Sequence, residues 1–273
     1  MKKMEKPLGT QAPALDGTRI AELMARRGIT HRSVQVVYES ASTNADAREY
    51  CEKHGRVESV CIADGQSAGR GRLGRSFASP HGAGIYMSIL TCPDGEIGDF
   101  TAVTTFAAVA VCRAIERVSG IVADIKWVND IYYGGKKLGG ILTEGALAED
   151  MRSAKYVIVG IGLNVLRSAL PEELSDIAIS LEEISGEKYD RNLLISEIVS
   201  EFDRAFSELS SPRTREEYKR RCFVVGKEVT VHKPDGSYDA RVIGIGDDMS
   251  LWVKRSDGGE EKLITGEISV RIK

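Results

Sequence analysis

Long apolar runs and paired cysteines are both missing from this 273-residue chain. No stretch approaches the ~20 apolar residues of a membrane-spanning helix, and the N-terminal residues lack the apolar core of a signal peptide, so we expect a cytoplasmic protein. The five cysteines stand far apart without a CxxC pair, and the four histidines show no zinc-ligand spacing. This scatter favours buried thiols over disulfides or metal ligands.

An excess of positive charge is missing as well. Lys plus Arg number 37 against 40 Asp plus Glu, so the surface as a whole is not built to attract nucleic acid, and an anion site must be local. What is present is a composition of 42% hydrophobic and 28% charged residues. That balance is typical of a globular chain with one large core and room for a second, smaller domain.

The sequence divides into three predicted parts. Residues 18–27 form one short helical pattern closed by Gly28, and this N-terminal extension is too small for a separate DNA-reading module of ~50 residues. After Gly226 the chain changes to short alternating strands separated by turn residues, which predicts a small barrel. The predicted parts are an extension over 1–32, a catalytic domain over 33–224 and a C-terminal barrel over 225–273.

The middle part alternates between strand and helix patterns. Apolar, β-forming runs predict strands at 34–39, 59–63, 85–90, 124–128, 140–145 and 155–165. Helical patterns cover 100–118, about 190–208 and 212–221. A further helix is predicted to begin at Ser42 and Thr43, with Thr43 and Asp46 as a capping-box-like pair and Gly55 at its end. The order predicts an α+β (α/β) domain with a mixed sheet packed with helices.

The segment GQSAGRGRLGRSFASPHGAGIYMSIL (65–90) begins with four glycines, Gly65, Gly69, Gly71 and Gly74, that stand among three arginines. Glycine lets backbone N–H groups approach an anion closely, and guanidinium groups add forked donors that match carboxylate or phosphate oxygens. The alternative is a flexible basic or RGG-like RNA-binding loop. Because the loop occurs once and lies between predicted strands, we favour a small anionic substrate.

A second segment, KWVNDIYYGGKKLGGILTEG (126–145), places Lys126, Asn129 and Asp130 at a strand end and two lysines before a double glycine. A lysine there can bring a point charge to a phosphate, and Asp130 can hold Mg²⁺ or orient another donor. An ordinary charged hairpin tip explains the same residues. When this segment is considered by itself, that explanation is favoured.

Together with SASTN (40–44) and VGIGLN (159–164), these segments resemble, in order, the catalytic domain of biotin protein ligases. The resemblance is close over about 34–165, and the C-terminal strands resemble the SH3-like domain that ends this family. It implies the class II synthetase-like biotin/lipoate ligase fold. It also implies a ligase that makes biotinyl-5′-AMP from biotin and Mg·ATP and transfers biotin to a lysine of a biotin carboxyl carrier protein, such as that of acetyl-CoA carboxylase.

The resemblance also implies the site residues. Biotin would be bound by Ser42, Thr43, Asn44, Gln66, Arg70, Gly71, Arg72, Lys137, Gly140, Gly160 and Gly162. ATP or the adenylate would be bound by Arg75, Phe77, Lys126, Asn129, Asp130, Asn164 and Arg271. Arg70, Arg72 and Lys137 would be catalytic, and Mg²⁺ would be held by the ATP phosphates, with Asp130 as the candidate protein contact.

Two of these assignments have simpler alternatives. Ser42 and Thr43 can serve as helix caps, a role that is compatible with binding because a helix N-terminus presents donors. Phe77 departs from the tryptophan that many relatives carry for stacking on adenine, and without the resemblance it would be assigned to the core.

Other functions also fit parts of the sequence. A lipoate protein ligase shares the architecture, but GRGRLGR favours biotin. A biotin-sensing regulator would need a DNA-binding domain, and the short N-terminus predicts none, so no DNA binding is expected. A homodimer formed through the sheets is compatible with the resemblance.

Overall fold

A computed structural model describes residues 13–93, 100–147, 153–207, 211–234, 236–264 and 269–272, with the backbone alone for 269–271. The helices are α1 Gly17–Ala25, α2 Thr43–His54, α3 Phe100–Ser119, α4 Leu181–Ser185, α5 Arg191–Ser207 and α6 Pro212–Arg221. The strands are β1 Ser33–Ser40, β2 Ser59–Gln66, β3 Gly84–Thr91, β4 Asp124–Lys126, β5 Asp130–Tyr133, β6 Lys136–Leu147, β7 Ala154–Asn164, β8 Glu228–Lys233, β9 Gly236–Ile245, β10 Leu251–Arg255, β11 Glu260–Leu263 and β12 Ser269–Ile272.

Seven strands form one mixed sheet in the order β1-β2-β3-β7-β6-β5-β4. The β1–β2 pair is parallel, because α2 connects the two strands and returns the chain to the same end of the sheet. The other neighbours are antiparallel. The turn between β5 and β6 uses Gly134 and Gly135 at positive φ, a conformation that favours glycine. The predicted α+β class with a mixed sheet is confirmed.

The two faces of the sheet pack differently. On β2, Val60 and Ile62 enter the large core with α1, α3 and α5, whereas Cys61 points to a smaller cluster under α2. On β7, Ile158 lies in that smaller cluster, and the next two positions on its face are Gly160 and Gly162. Helix α2 therefore covers only part of its face, and just beyond its N-terminus β7 contributes no side chains at Gly160 and Gly162.

Helix α3 is the scaffold that its composition predicts. Its alanine and valine residues are buried along most of its length, and small side chains let it lie close to the sheet and to α5. Charged residues at its rim tie it to the neighbouring helices: Arg113 pairs with Glu217 at 2.8 Å, and Arg117 pairs with Glu201 at 2.8 Å. Among the helices of the described ranges, none combines the length and hydropathy of a membrane span.

The cysteines are free thiols, and four of the five are buried. Burial raises the pKa of Cys61 to about 11, with its hydrogen bond to Ser59 opposing and the Asp46 carboxylate adding to the rise. This agrees with the expectation of buried thiols.

The C-terminal strands form a second, antiparallel sheet in the order β11-β10-β9-β8-β12. Alternate residues such as Val229, Val242 and Val253 are buried, as a one-sided sheet requires. The pairings found in the described residues are those of an open order, so the closed SH3-like barrel stays a prediction, and so do the boundaries at 32/33 and 224/225.

The two sheets meet beside the turn between β4 and β5. Ile125 forms a bridge with Cys222, the residue that ends α6. The Trp127 indole N–H donates to the carbonyl of Met249, at 2.9 Å, and Lys219 pairs with Asp247 at 2.8 Å. Met249 has a left-handed backbone with φ of 64° and is buried. A large residue is uncommon in that conformation.

The predicted capping box at the start of α2 is wrong. Ser42 is the N-cap, but its side chain makes no capping hydrogen bond. The N–H of Thr43 instead donates to Gln66 Oε1, at 2.9 Å, on the neighbouring strand. A tertiary partner replaces the local cap because β2 ends beside the helix N-terminus.

Candidate active site

One pocket lies on the α2 face of the large sheet, beyond the N-terminus of that helix. It is bordered by the α2 N-terminus, the glycine–arginine loop, the β4–β5 turn and the start of β6. All the predicted site residues except Asn164 and Arg271 line it. Sequence reasoning missed the other lining residues, which are Leu73, Ser76, Trp127, Ile141, Leu142 and Ile161.

The α2 N-terminus and the end of β2 form a neutral wall. Gln66 Oε1 accepts from the N–H of Thr43, and Gln66 Nε2 donates to Ser79 Oγ at 3.0 Å. Ser79 in turn donates to the carbonyl of Phe77 at 3.0 Å. The amide of Gln66 therefore has a fixed orientation, and the wall is formed before a ligand arrives.

Asn44 continues this wall and is almost fully buried. Its Oδ1 lies 2.6 Å from the hydroxyl of Ser88, and its Nδ2 lies 2.8 Å from Glu144 Oε2 and 3.3 Å from the carbonyl of Leu142. Ser88 is fully buried and also contacts Thr43 Oγ1 at 2.8 Å. The available signal for Ser88 was a single polar residue inside the apolar run IYMSIL.

The floor of the pocket consists of glycine positions on β7. A Cβ at Gly160 would collide with Asn44 Oδ1, and a Cβ at Gly162 would come within 2.6 Å of the Phe77 ring. The Phe77 ring also meets Tyr86 edge-on, with centroids 6.4 Å apart. The two glycines thus let an amide and an aromatic ring lie directly on the sheet.

The glycine–arginine loop folds back on itself as a small hairpin. Arg70 and Ser76 form a bridge, the N–H of Gly71 donates to the carbonyl of Arg75 at 2.7 Å, and Leu73 has a left-handed backbone with φ of 57°. The loop is therefore ordered by its own hydrogen bonds, and it presents arginines toward the pocket.

Three cations on the opposite wall are each placed beside an internal acceptor. Lys137 Nζ lies 2.7 Å from Asp130 Oδ1, Arg72 donates to Asn129 Oδ1 at 3.1 Å, and Arg70 lies 4.0 Å from Glu144. Burial lowers the pKa of Arg72, the Asp130 carboxylate opposes this, and Arg75 lowers it further. Arginine keeps its charge despite such a shift, so this wall is positive.

The β4–β5 turn, residues 127–129, is held from three sides. Besides the Trp127 bond to Met249, the buried hydroxyl of Tyr218 donates to the carbonyl of Val128 at 3.0 Å, and Asn129 Nδ2 donates to the carbonyl of Ile141 at 2.8 Å. Burial raises the pKa of Tyr218 well above its usual value, so it stays a neutral donor. Lys126 precedes this turn, and its Nζ lies over the ring of Tyr132, 5.6 Å from the ring centroid.

Two predicted residues lie elsewhere. Asn164 is buried, and its Nδ2 donates to the carbonyl of Ile179 at 3.2 Å and lies 3.5 Å from the carbonyl of Lys137, so it holds the backbone behind Lys137. Arg271 belongs to β12, and its side chain is outside the described residues.

The pocket thus joins a neutral, hydrogen-bonding wall to a cationic wall. Such a site can bind a molecule with a polar uncharged group at one end and a carboxylate or phosphate at the other. In the part of the chain that the structure describes, no cluster of three or more His, Cys, Asp or Glu side chains could hold a metal ion.

Comparisons with known proteins agree with this geometry. Residues 37–164 match the family model described as the Biotin/lipoate A/B protein ligase family. The chain is 35% identical over 235 residues to the bifunctional ligase/repressor BirA of Bacillus spizizenii, a match that covers 84% of this chain and 71% of that protein. It is 30% identical over 244 residues to the biotin–[acetyl-CoA-carboxylase] ligase of Mycobacterium tuberculosis, with 87% of each chain covered.

A solved structure extends the likeness to the whole fold. The biotin protein ligase from Aquifex aeolicus in complex with biotin and ATP superposes with a TM-score of 0.75 at 28% identity, covering 88% of this chain and 99% of that one. Similarity of this extent in both sequence and fold assigns the family. The chain belongs to the biotin protein ligase family.

Proposed function

We propose that this protein is an ATP-dependent biotin protein ligase, which forms biotinyl-5′-AMP and then transfers biotin to a lysine of a biotin carboxyl carrier protein. The observation that carries the proposal is the pairing of a neutral wall at Thr43, Asn44 and Gln66 with a cationic wall at Arg72 and Lys137 in one pocket. The names of the relatives and of the Aquifex complex support both substrates.

In the first step, a biotin carboxylate oxygen attacks the α-phosphorus of Mg·ATP, and the bond to the β-phosphate bridging oxygen breaks to release pyrophosphate. Arg70, Arg72 and Lys137 stabilise the negative charge that develops on the phosphoryl oxygens. The protein supplies positioning and electrostatic stabilisation and needs no nucleophile of its own.

In the second step, the neutral amine of the carrier lysine attacks the carbonyl carbon of the mixed anhydride. An amide bond forms, the bond from the carbonyl carbon to the phosphate oxygen breaks, and AMP leaves with the electron pair. The amine loses its proton to the departing phosphate or to water. The same cations that favoured formation of the adenylate stabilise the leaving phosphate.

We assign the neutral wall to biotin. Ser42, Thr43, Asn44 and Gln66 contact the ureido ring and its neighbouring atoms, and Gly160 and Gly162 line the same pocket. Gly140, at the start of β6, faces the side chains of Lys137 and Asp130. Gly71 belongs to the loop that covers the activated carboxyl group.

We assign the remaining predicted residues to the nucleotide. These are Arg75, Phe77, Lys126, Asn129, Asp130, Asn164 and Arg271. Phe77 offers an aromatic face on Gly162 for the adenine, with less area than tryptophan. Mg²⁺ enters with ATP as part of the substrate, held by the phosphates, and Asp130 is the one carboxylate of the pocket lining that can contact it.

The finer assignments belong to the same proposal. The C-terminal sheet is the SH3-like domain of the family, the domain boundaries are those predicted at 32/33 and 224/225, and ATP chemistry of this kind is expected in the cytoplasm. The carrier presents its lysine at the mouth of the pocket, and a homodimer is compatible with the fold.

The test is to incubate the purified protein with Mg·ATP and either biotin or lipoate, and to measure pyrophosphate and the acyl adenylate by mass spectrometry. Biotinyl-AMP is expected. Lipoyl-AMP alone would assign the protein to the lipoate ligases, and the absence of both adenylates would contradict the proposed reaction. A gel shift with promoter DNA tests the expectation that this chain does not bind DNA.

A further inference from the structure

Glu144 lies on β6 outside the pocket lining, yet its side chain connects the two walls of the pocket. One carboxylate oxygen, Oε2, accepts from Asn44 Nδ2 at 2.8 Å. The same oxygen lies 3.6 Å from Arg48 and 4.0 Å from Arg70. The side chain is only 25% exposed, so these donors replace most of its hydration.

The contacts of Asn44 fix which way its amide points. A carboxylate accepts hydrogen bonds and donates none, so only the nitrogen of Asn44 can face Glu144. The carbonyl of Leu142 accepts from the same nitrogen at the longer distance of 3.3 Å, so Glu144 is the closer of its two acceptors. The oxygen of Asn44 is then turned toward the hydroxyl of Ser88 and lies over the glycine floor at Gly160.

This orientation has a consequence for the ligand. An amide oxygen has two acceptor sites, and Ser88 uses one of them. The second is available to an N–H donor in the pocket, which is the kind of group that the ureido ring of biotin offers. With the amide flipped, two N–H groups would oppose each other, and binding would be weakened.

We propose that Glu144 is a positioning residue that sets the amide of Asn44 to accept from a ureido N–H, and so selects a ureido ring over a ring without N–H groups. The proposal rests on the proposed function, because it uses the assignment of Asn44 to biotin. Glu144 acts through Asn44 and does not touch the ligand. Arg48 and Arg70 compensate its charge.

Direct titration calorimetry with biotin tests this without requiring the reaction. Glu144→Ala is expected to weaken biotin binding about tenfold, equivalent to about 1.4 kcal/mol. Glu144→Gln is expected to stay within about threefold of wild type, because its side-chain oxygen can still accept from Asn44. In an Asn44→Ala background, Glu144→Ala is expected to weaken binding no further, since the residue it positions is absent.

ATP affinity and the thermal midpoint separate positioning from a general structural role. Both are expected to be nearly unchanged in Glu144→Gln, and ATP affinity is expected to be unchanged in Glu144→Ala. The matched control is Glu49→Ala, an exposed glutamate on α2, which should bind biotin as the wild type does.

Wild-type affinity in Glu144→Ala would overturn the proposal, and so would a loss that persists in the Asn44→Ala background or an equal loss of ATP affinity. The proposed function is decided separately. A wild-type protein that binds biotin but makes no biotinyl-AMP fails as a ligase while the titrations still decide the role of Glu144. A wild-type protein that does not bind biotin overturns both.

Discussion

The two walls of the pocket are built on different principles. On the neutral wall, Asn44 and Ser88 are at most 3% exposed, and their polar atoms bond to one another. On the cationic wall, the side chains of Lys137 and Arg70 are 33% and 47% exposed. Their partners, Asp130 and Glu144, are acceptors that a substrate anion can replace.

The difference separates recognition from chemistry. A buried, mutually bonded wall is fixed on folding and loses little entropy when a neutral ring binds, so it provides selectivity. A half-exposed cation can exchange an internal acceptor for a phosphate and follow charge as it moves during the reaction. Changes to the cationic wall should therefore lower the rate, and changes to the neutral wall should lower affinity.

Lys137→Ala is expected to have the largest effect. Removing one donor that stabilises transition-state charge typically costs about 100- to 1,000-fold in rate, so pyrophosphate release should fall by about that factor while biotin affinity changes far less. The matched control is Lys136→Ala, because Lys136 donates to the carbonyl of Ser175 away from the pocket. Pyrophosphate release at the wild-type rate by the Lys137 variant would contradict the assigned role.

Gly160→Ala should break the neutral wall. The new Cβ would collide with Asn44 Oδ1, and overpacking of this kind costs about 1–3 kcal/mol, so the KM for biotin should rise about 5- to 150-fold. The KM for ATP should stay within about twofold. Gly244→Ala is the control, because a Cβ there has open space. An unchanged biotin KM would mean that Asn44 does not form the wall.

Trp127→Phe tests the part of the pocket assigned to the nucleotide. The change keeps an aromatic ring but removes the donor to the Met249 carbonyl. A buried acceptor left without its partner costs about 1–3 kcal/mol of unfolding free energy. We also expect the KM for ATP to rise a few-fold with biotin affinity unchanged. Trp252→Phe, at a side chain that is 36% exposed, should change neither quantity.

Phe77→Trp should have the smallest effect. A larger aromatic face adds contact area for the adenine, so the KM for ATP should fall by about threefold, within the range of aromatic-pair energies. Steady-state kinetics with ATP varied at saturating biotin would measure it. A rise in KM would show that the ring belongs to the packing against Gly162 and Tyr86 instead.

Much of the fold could be predicted because its signals are local. Apolar runs gave six of the seven strands of the large sheet, and the Ala/Val pattern gave α3, whereas the four-residue strand β5 was not predicted. The capping box at Thr43 failed because a partner from β2, distant in sequence, satisfies that N–H. The local sequence pattern of a helix start does not show which strand end lies beside that helix in the fold.

The pocket residues likewise divide into those with a local sequence signal and those whose partner is distant in sequence. Glycines and cations were visible as motifs, and the resemblance gave them roles that remain predictions. Glu144 was missed because it acts through a hydrogen bond to Asn44, 100 residues away along the chain, and Ser79 because its partner Gln66 lies on the preceding strand. Trp127 was missed because its partner, Met249, lies in the other sheet.

The glycine positions on β7 have a consequence for stability when biotin is bound. Ile158 is covered by α2, whereas Gly160 and Gly162 contribute no side chains to the same sheet face and are covered by the Asn44 amide and the Phe77 ring. A bound ring that packs beside these two side chains would be enclosed by the pocket as a core side chain is enclosed elsewhere. Biotin should therefore act like a removable piece of hydrophobic core, and at 100 times its Kd it should add about 2.7 kcal/mol to the free energy of unfolding.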